Sequence, residues 1–111
     1  MNSTTVNYGM DQGCNFEQDL YLQDNTGNAR NLTNYSVVCQ MRRDFFSPVY
    51  ASITATIPYP TQGVINLSLL PAQTYVIEAG RYVYSVNITS IDGVVTKVAD
   101  GIITVNPSAI R

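Results

Sequence analysis

Residues 77–105 read IEAGRYVYSVNITSIDGVVTKVADGIITV. Tyr82, Tyr84, Val86 and Ile88 fall on one side of a two-residue period, and Val83, Ser85, Asn87 and Thr89 on the other. Successive side chains of a strand point to opposite faces, so this spacing predicts a strand with one apolar face turned to a core. Asp92 and Gly93 follow. A type I′ hairpin turn needs positive φ at both central residues, and Asp-Gly is a favoured pair for it, so these two residues are expected at the turn. A return strand should run from Val94 to about Val105, with a bulge or kink at Gly101, and stop at Asn106 and Pro107.

The rest of the chain repeats the same period. Cys14, Phe16, Leu20 and Leu22 alternate with Glu17, Asp19, Tyr21 and Gln23, a strand with one wet face. Asp24 to Asn28 concentrates turn formers around Gly27. Tyr35, Val37, Cys39 and Met41 share one face of a central strand. Ala51, Ile53, Ala55 and Ile57 alternate with Ser52, Thr54 and Thr56 until Pro58-Tyr59-Pro60, where proline cannot donate to a ladder. Ile65, Leu67 and Leu69 alternate with Val64, Asn66 and Ser68. Pro71 to Thr74 offers one helical turn with proline at its first position. Six or seven short strands with regular turn signals and no long helical period predict an all-β chain, a β-sandwich.

The sequence has 111 residues, enough for one domain that buries roughly two-thirds of its unfolded surface. No linker-like break divides it. We expect a flexible N-terminal arm over residues 1–12, a sandwich over 13–107 and a tail over 108–111. No metal or cofactor is needed for stability. The opening residues lack the positive and apolar regions of a secretory signal, and no stretch approaches the roughly 18 apolar residues of a membrane helix, so a soluble product of the cytoplasm is expected. In that compartment Cys14 and Cys39 are expected as reduced core thiols.

The chemistry that is absent narrows the function. The chain has no histidine, which removes the usual partner that activates a serine or cysteine nucleophile. Two cysteines alone cannot complete a structural zinc site. Net charge is −2, the single lysine is Lys97, and Arg42 and Arg43 point to opposite faces of one strand, so no basic patch exists for nucleic acid. Glu17 and Asp19 share a strand face and read as solvated side chains, and Asp24–Asn28 lacks the downstream glutamate of a calcium loop. No glycine-rich phosphate cradle precedes a helix. The expectation is a protein that is not an enzyme.

Eight tyrosines supply contact surface at low rotamer cost. Tyr59, between two prolines, and Tyr8, in the N-terminal arm, are the candidate interface residues, together with the C-terminal Arg111. Tyr82, just after Glu78-Ala79-Gly80-Arg81, is a candidate tyrosine corner, whose hydroxyl would reach back to a backbone group; an ordinary core tyrosine is the alternative.

The order of motifs is also informative: Gln23 to Thr33 (QDNTGNARNLT), Val37 to Arg42 (VVCQMR), Gly63 to Ser68 (GVINLS), Gly80 to Tyr84 (GRYVY) and Gly101 to Pro107 (GIITVNP). In this order and spacing the chain resembles small bacteriophage virion proteins with an immunoglobulin-like antiparallel β-sandwich of about seven strands, similar to the N-terminal domain of phage baseplate upper proteins. The resemblance implies a multi-copy structural protein of the virion, bound to other virion proteins of capsid, neck, tail or baseplate, with no catalytic residues to carry over. The other expectation is a binding module, such as a carbohydrate- or host-receptor-binding adhesin, whose exposed tyrosines stack on sugar rings.

Overall fold

The computed structural model describes residues 4–24, 26–44, 46–48 and 51–108. Among them eight strands form: β1 (Thr4–Thr5), β2 (Tyr8–Asp11), β3 (Phe16–Tyr21), β4 (Ser36–Arg42), β5 (Ala51–Tyr59), β6 (Val64–Leu69), β7 (Gly80–Thr89) and β8 (Val95–Asn106). One short helix, α1 (Pro71–Tyr75), connects β6 to β7, with Pro71 at its first turn. Its start is tied by the Leu70 N–H, which donates to Gln73 Oε1 at 2.7 Å.

The β7–β8 hairpin carries the alternation that the sequence displays. Tyr82, Tyr84, Val86 and Ile88 are all fully buried, and the intervening residues of β7 are not. The turn differs from the expected two-residue form. Gly93 N–H donates to the Ser90 carbonyl (3.0 Å) and Ser90 N–H to the Val94 carbonyl (2.9 Å), so the loop has three residues, Ile91 to Gly93. Only Gly93 takes a positive φ (+87°); Asp92 does not. A three-residue loop of this kind asks for one left-handed residue rather than two, which spares Asp92 the steric cost of its Cβ.

The bulge in β8 also sits elsewhere than expected. Val86 faces Ala99 and Asn87 faces Lys97, leaving Val98 unpaired. The extra residue resets the alternation, so Val98 and Ala99 are both buried although they are neighbours in sequence. Gly101 has a different task. A Cβ there would overlap the Val6 carbonyl oxygen, and φ is +155°. Only glycine lets the N-terminal segment lie so close.

That segment corrects the expectation of a flexible arm. β1 and β2 pair with β8, and in parallel, which departs from a purely antiparallel sandwich. Met10 is buried in the core. Between the two strands, Val6 N–H donates to the Asp100 carbonyl (2.9 Å) and Asn7 Oδ1 accepts from the Ile102 N–H (3.0 Å). The non-local ladder gives this polar stretch the backbone partners it cannot supply locally.

Two sheets result, sharing β5. The first runs β1/β2, β8, β7, β4 and the start of β5; the second runs β3, β6 and the rest of β5. Met41, Gln40 and Cys39 of β4 face Ala51, Ser52 and Ile53, whereas Thr54 to Tyr59 of β5 pair with β6. β5 runs through Pro58, but no pairing is made there, because the register shifts between Thr56 and Tyr59. The arrangement is an immunoglobulin-like, all-β sandwich, closed along one side by the strand that crosses between sheets. Its core joins Phe16, Leu20, Leu22 and Leu32 to Met41, Ile53, Ile65, Leu67, Tyr82, Tyr84, Val86 and Ile103.

Candidate functional site

Tyr8 is not an arm residue free to meet a partner. Its ring packs edge-on to Phe16 at 6.0 Å and tilted against Tyr84 at 5.6 Å, at the margin of the core. Arg111 lies outside the described residues. Tyr59 ends β5 and is exposed. Asp92 and Gly93 lie in the β7–β8 loop described above.

Tyr82 donates its hydroxyl to the Glu78 carbonyl, four residues upstream, at 2.7 Å. Arg43 lies over the Tyr82 ring, 4.6 Å from its centroid, and pairs with the Glu78 carboxylate. Ring, guanidinium and turn thus lock the entry into β7, with the geometry of a tyrosine corner. The neighbouring Tyr84 hydroxyl donates to the Val6 carbonyl at 2.5 Å, fastening the N-terminal segment over Gly101. Burial pushes the Tyr84 hydroxyl well above the usual tyrosine range and raises Tyr8 as well.

The thiols part company. Cys39 is buried, which pushes it up to about 12, while Cys14 is exposed and so is not the core thiol the sequence led us to expect. Both are free. A thiol held protonated by burial is a poor nucleophile. Asp24 is lowered from its ordinary value because Thr26 donates to it from hydroxyl and backbone, as does the Asn28 N–H. These bonds close the Asp24–Asn28 turn on itself. Asp100 is lowered mainly by the hydrogen bond from Lys97. Among the described residues no three ligating side chains gather as a metal site, and no helix is long and apolar enough to cross a membrane.

What the surface offers is contact area. At one end, Leu70, Tyr75 and Val76 are 63%, 51% and 73% exposed around α1. Beside them a cleft opens where β6 leaves β5, lined by Ala51, Ser52, Leu69, Gln73, Val76 and Ile77. The α1 corner escapes sequence reading because its apolar residues follow no period; they sit at the two caps and the last residue of one short helix.

The outer face of the second sheet is a second surface. Tyr21 and Tyr59 both pair with Val64, one from each side, so the three side chains share one row. Val64 is buried there although it is not part of the main core. The next rows along the strands are Asp19, Asn66 and Thr56, then Glu17, Ser68 and Thr54. Alternation gives the outward direction of the other residues, but Tyr59 joins them only through the register shift after Thr56, and only the register shows that Tyr21 and Tyr59 flank one valine.

No family model matches this chain, and no curated protein does. Among solved structures it is similar to the filamin domain of Lin-41, with 14% sequence identity, 88% of this chain and 82% of that chain covered, and a TM-score of 0.49.

Proposed function

We propose that this chain is a non-catalytic structural protein of a bacteriophage virion, present in multiple copies and held to other virion proteins of the capsid, neck, tail or baseplate. The observation that carries a binding role is the apolar corner at α1. Burying a large apolar side chain contributes about 1.5–3 kcal/mol, and Leu70, Tyr75 and Val76 withhold much of that contribution from the fold, Val76 while lining a cleft. Such an arrangement serves a partner. The motif order given above supplies the setting.

The test is to quantify the chain in purified particles of its source by mass spectrometry and locate it by cryo-electron microscopy. It is expected in multiple copies per particle, and a Leu70→Ser, Val76→Ser double variant should incorporate poorly while keeping its thermal stability. Absence from particles would overturn the virion reading.

A second reading, a carbohydrate- or host-receptor-binding module, is favoured by the row of Tyr21, Val64 and Tyr59 on the second sheet. Glycan binding lost on Tyr59→Ala, by a chain absent from particles, would put it first.

A further inference from the structure

The second sheet ends on an open edge. In a constant-type immunoglobulin domain the first strand lies beside the second, making a four-stranded sheet. Here the first strands, β1 and β2, pair with β8 in the other sheet, and among the described residues β3 pairs only with β6. Along its other side β3 therefore presents backbone N–H and C=O groups that no described strand meets, the setting in which an extended segment can add to a sheet.

The face beside that edge states what kind of strand would fit. Glu17, Asp19 and Tyr21 point outward at two-residue intervals, about 7 Å apart along the strand, and all three are exposed. The rows that continue across β6 and β5 are Ser68 and Thr54, Asn66 and Thr56, Val64 and Tyr59, with no lysine or arginine among them. A second copy of β3 laid on this edge would set carboxylates beside carboxylates, which destabilises a pair. A strand with cations at alternate positions would meet the opposite charge at Glu17 and Asp19 and a ring at Tyr21. The chain's own fold shows the chemistry: Arg43 lies over Tyr82 and pairs with Glu78, and Arg30 lies over Tyr35 at 5.8 Å. Tyr21 beside Asp19 offers the same ring and carboxylate to a guanidinium from outside.

We propose that the free edge of β3 is a docking site for an extended segment of another virion protein with arginine or lysine at alternate positions, its side chains placed against Glu17, Asp19 and Tyr21. This rests on the virion reading and names the chemistry of one partner. The same carboxylates discourage the edge from pairing with copies of itself, so one pair of charges both rejects self-association and selects a basic strand.

The test uses the whole chain and a short fluorescein-labelled peptide of alternating arginine and threonine, with a peptide of alternating glutamate and threonine as control. Fluorescence anisotropy should show binding of the basic peptide only, weakening as salt is raised. A Glu17→Lys, Asp19→Lys double variant should lose the basic peptide by roughly tenfold or more and gain the acidic one. Both residues are exposed, so melting of the variant should match the parent. Hydrogen exchange should slow at the amides of residues 16–21 when the basic peptide binds. Binding insensitive to the charge reversal, protection confined to other strands, or binding of a glycan but neither peptide would overturn the inference. Because the peptide assay needs no particles, its failure leaves the particle measurement to decide the virion reading separately.

Discussion

Tyr82 and Tyr84 stand two residues apart on the same buried face, yet their hydroxyls fasten different parts of the molecule. Tyr82 holds the turn before β7 through the Glu78 carbonyl, and Tyr84 holds the N-terminal segment through the Val6 carbonyl. Tyr82→Phe removes one neutral hydrogen bond and leaves the ring under Arg43. We expect a loss of about 1 kcal/mol, read as a fall in Tm of about 4–8 °C by circular dichroism. An unchanged Tm would show that the bond to Glu78 contributes nothing net.

Cys39 adds a pH dependence. Burial raises its folded pKa from 9.0 to about 12, so between these values the unfolded chain has released a proton that the folded chain keeps. The stabilising contribution is complete below pH 9 and is lost as pH climbs towards 12. Tyr8 and Tyr84 act in the same direction, but starting from 10.0. Cys39→Ala should therefore flatten the decline of Tm most clearly between pH 9 and 10, whatever it does to Tm at neutral pH. A decline of the same slope in parent and variant would contradict this.

Elements were legible where they are local. β3 to β8 announce themselves by alternation, and α1 by Pro71, because each pattern is set by residues a few positions apart. β1 and β2 left a fainter mark. Val6, Tyr8 and Met10 alternate with Asn7, Gly9 and Asp11, but the run is short and interrupted between the two strands, and its partner strand lies some ninety residues later, so nothing nearby records the pairing. Gly101 did stand out in the sequence, but as a bulge. Its actual role, a gap for the Val6 carbonyl, needs the long-range contact to be seen, and the true bulge at Val98 is masked by two apolar neighbours that read as one strand. The candidate surfaces were half legible: Tyr59 stood out by its flanking prolines and the outward direction of Glu17, Asp19 and Tyr21 by alternation, while their shared face came from register and from the shift between Thr56 and Tyr59.

Gly101→Ala tests that account of the N-terminal strands. The added methyl meets the Val6 carbonyl oxygen, and φ of +155° is strained for any residue with a Cβ. We expect destabilisation by at least about 1 kcal/mol. The damage should be local first: the amides of Val6 and Ile102, which bond across this junction, should exchange much faster, while those of β6 keep their protection. Unchanged exchange at Val6 would mean the N-terminal segment holds without the gap.

At the scale of the whole molecule, the decisive element is β5. A sandwich whose sheets meet only through side chains could loosen one sheet at a time, but here a single strand is hydrogen-bonded into both, with Ile53 in the half that pairs with β4 and the residues from Thr54 onward in the half that pairs with β6. Unfolding either sheet must strip part of the same strand, so the two should lose structure together. The prediction uses one buried residue on each side. Ile53→Val, on β5 in the first sheet, and Ile65→Val, on β6 in the second, should each cost about 0.5–1.5 kcal/mol. In both variants the far-ultraviolet backbone signal and the near-ultraviolet tyrosine signal should still shift as one transition, because the tyrosines report chiefly on the first sheet, where Tyr8, Tyr82 and Tyr84 lie, and the backbone reports on both. If Ile65→Val instead splits the melt, so that backbone signal is lost before the buried tyrosines change, then β5 does not couple the sheets and β3 with β6 forms a separately folding unit. That outcome would also bear on the open edge of β3, since a strand that detaches on its own is a less rigid platform for a docked segment than one held through β6 and β5 to the rest of the core.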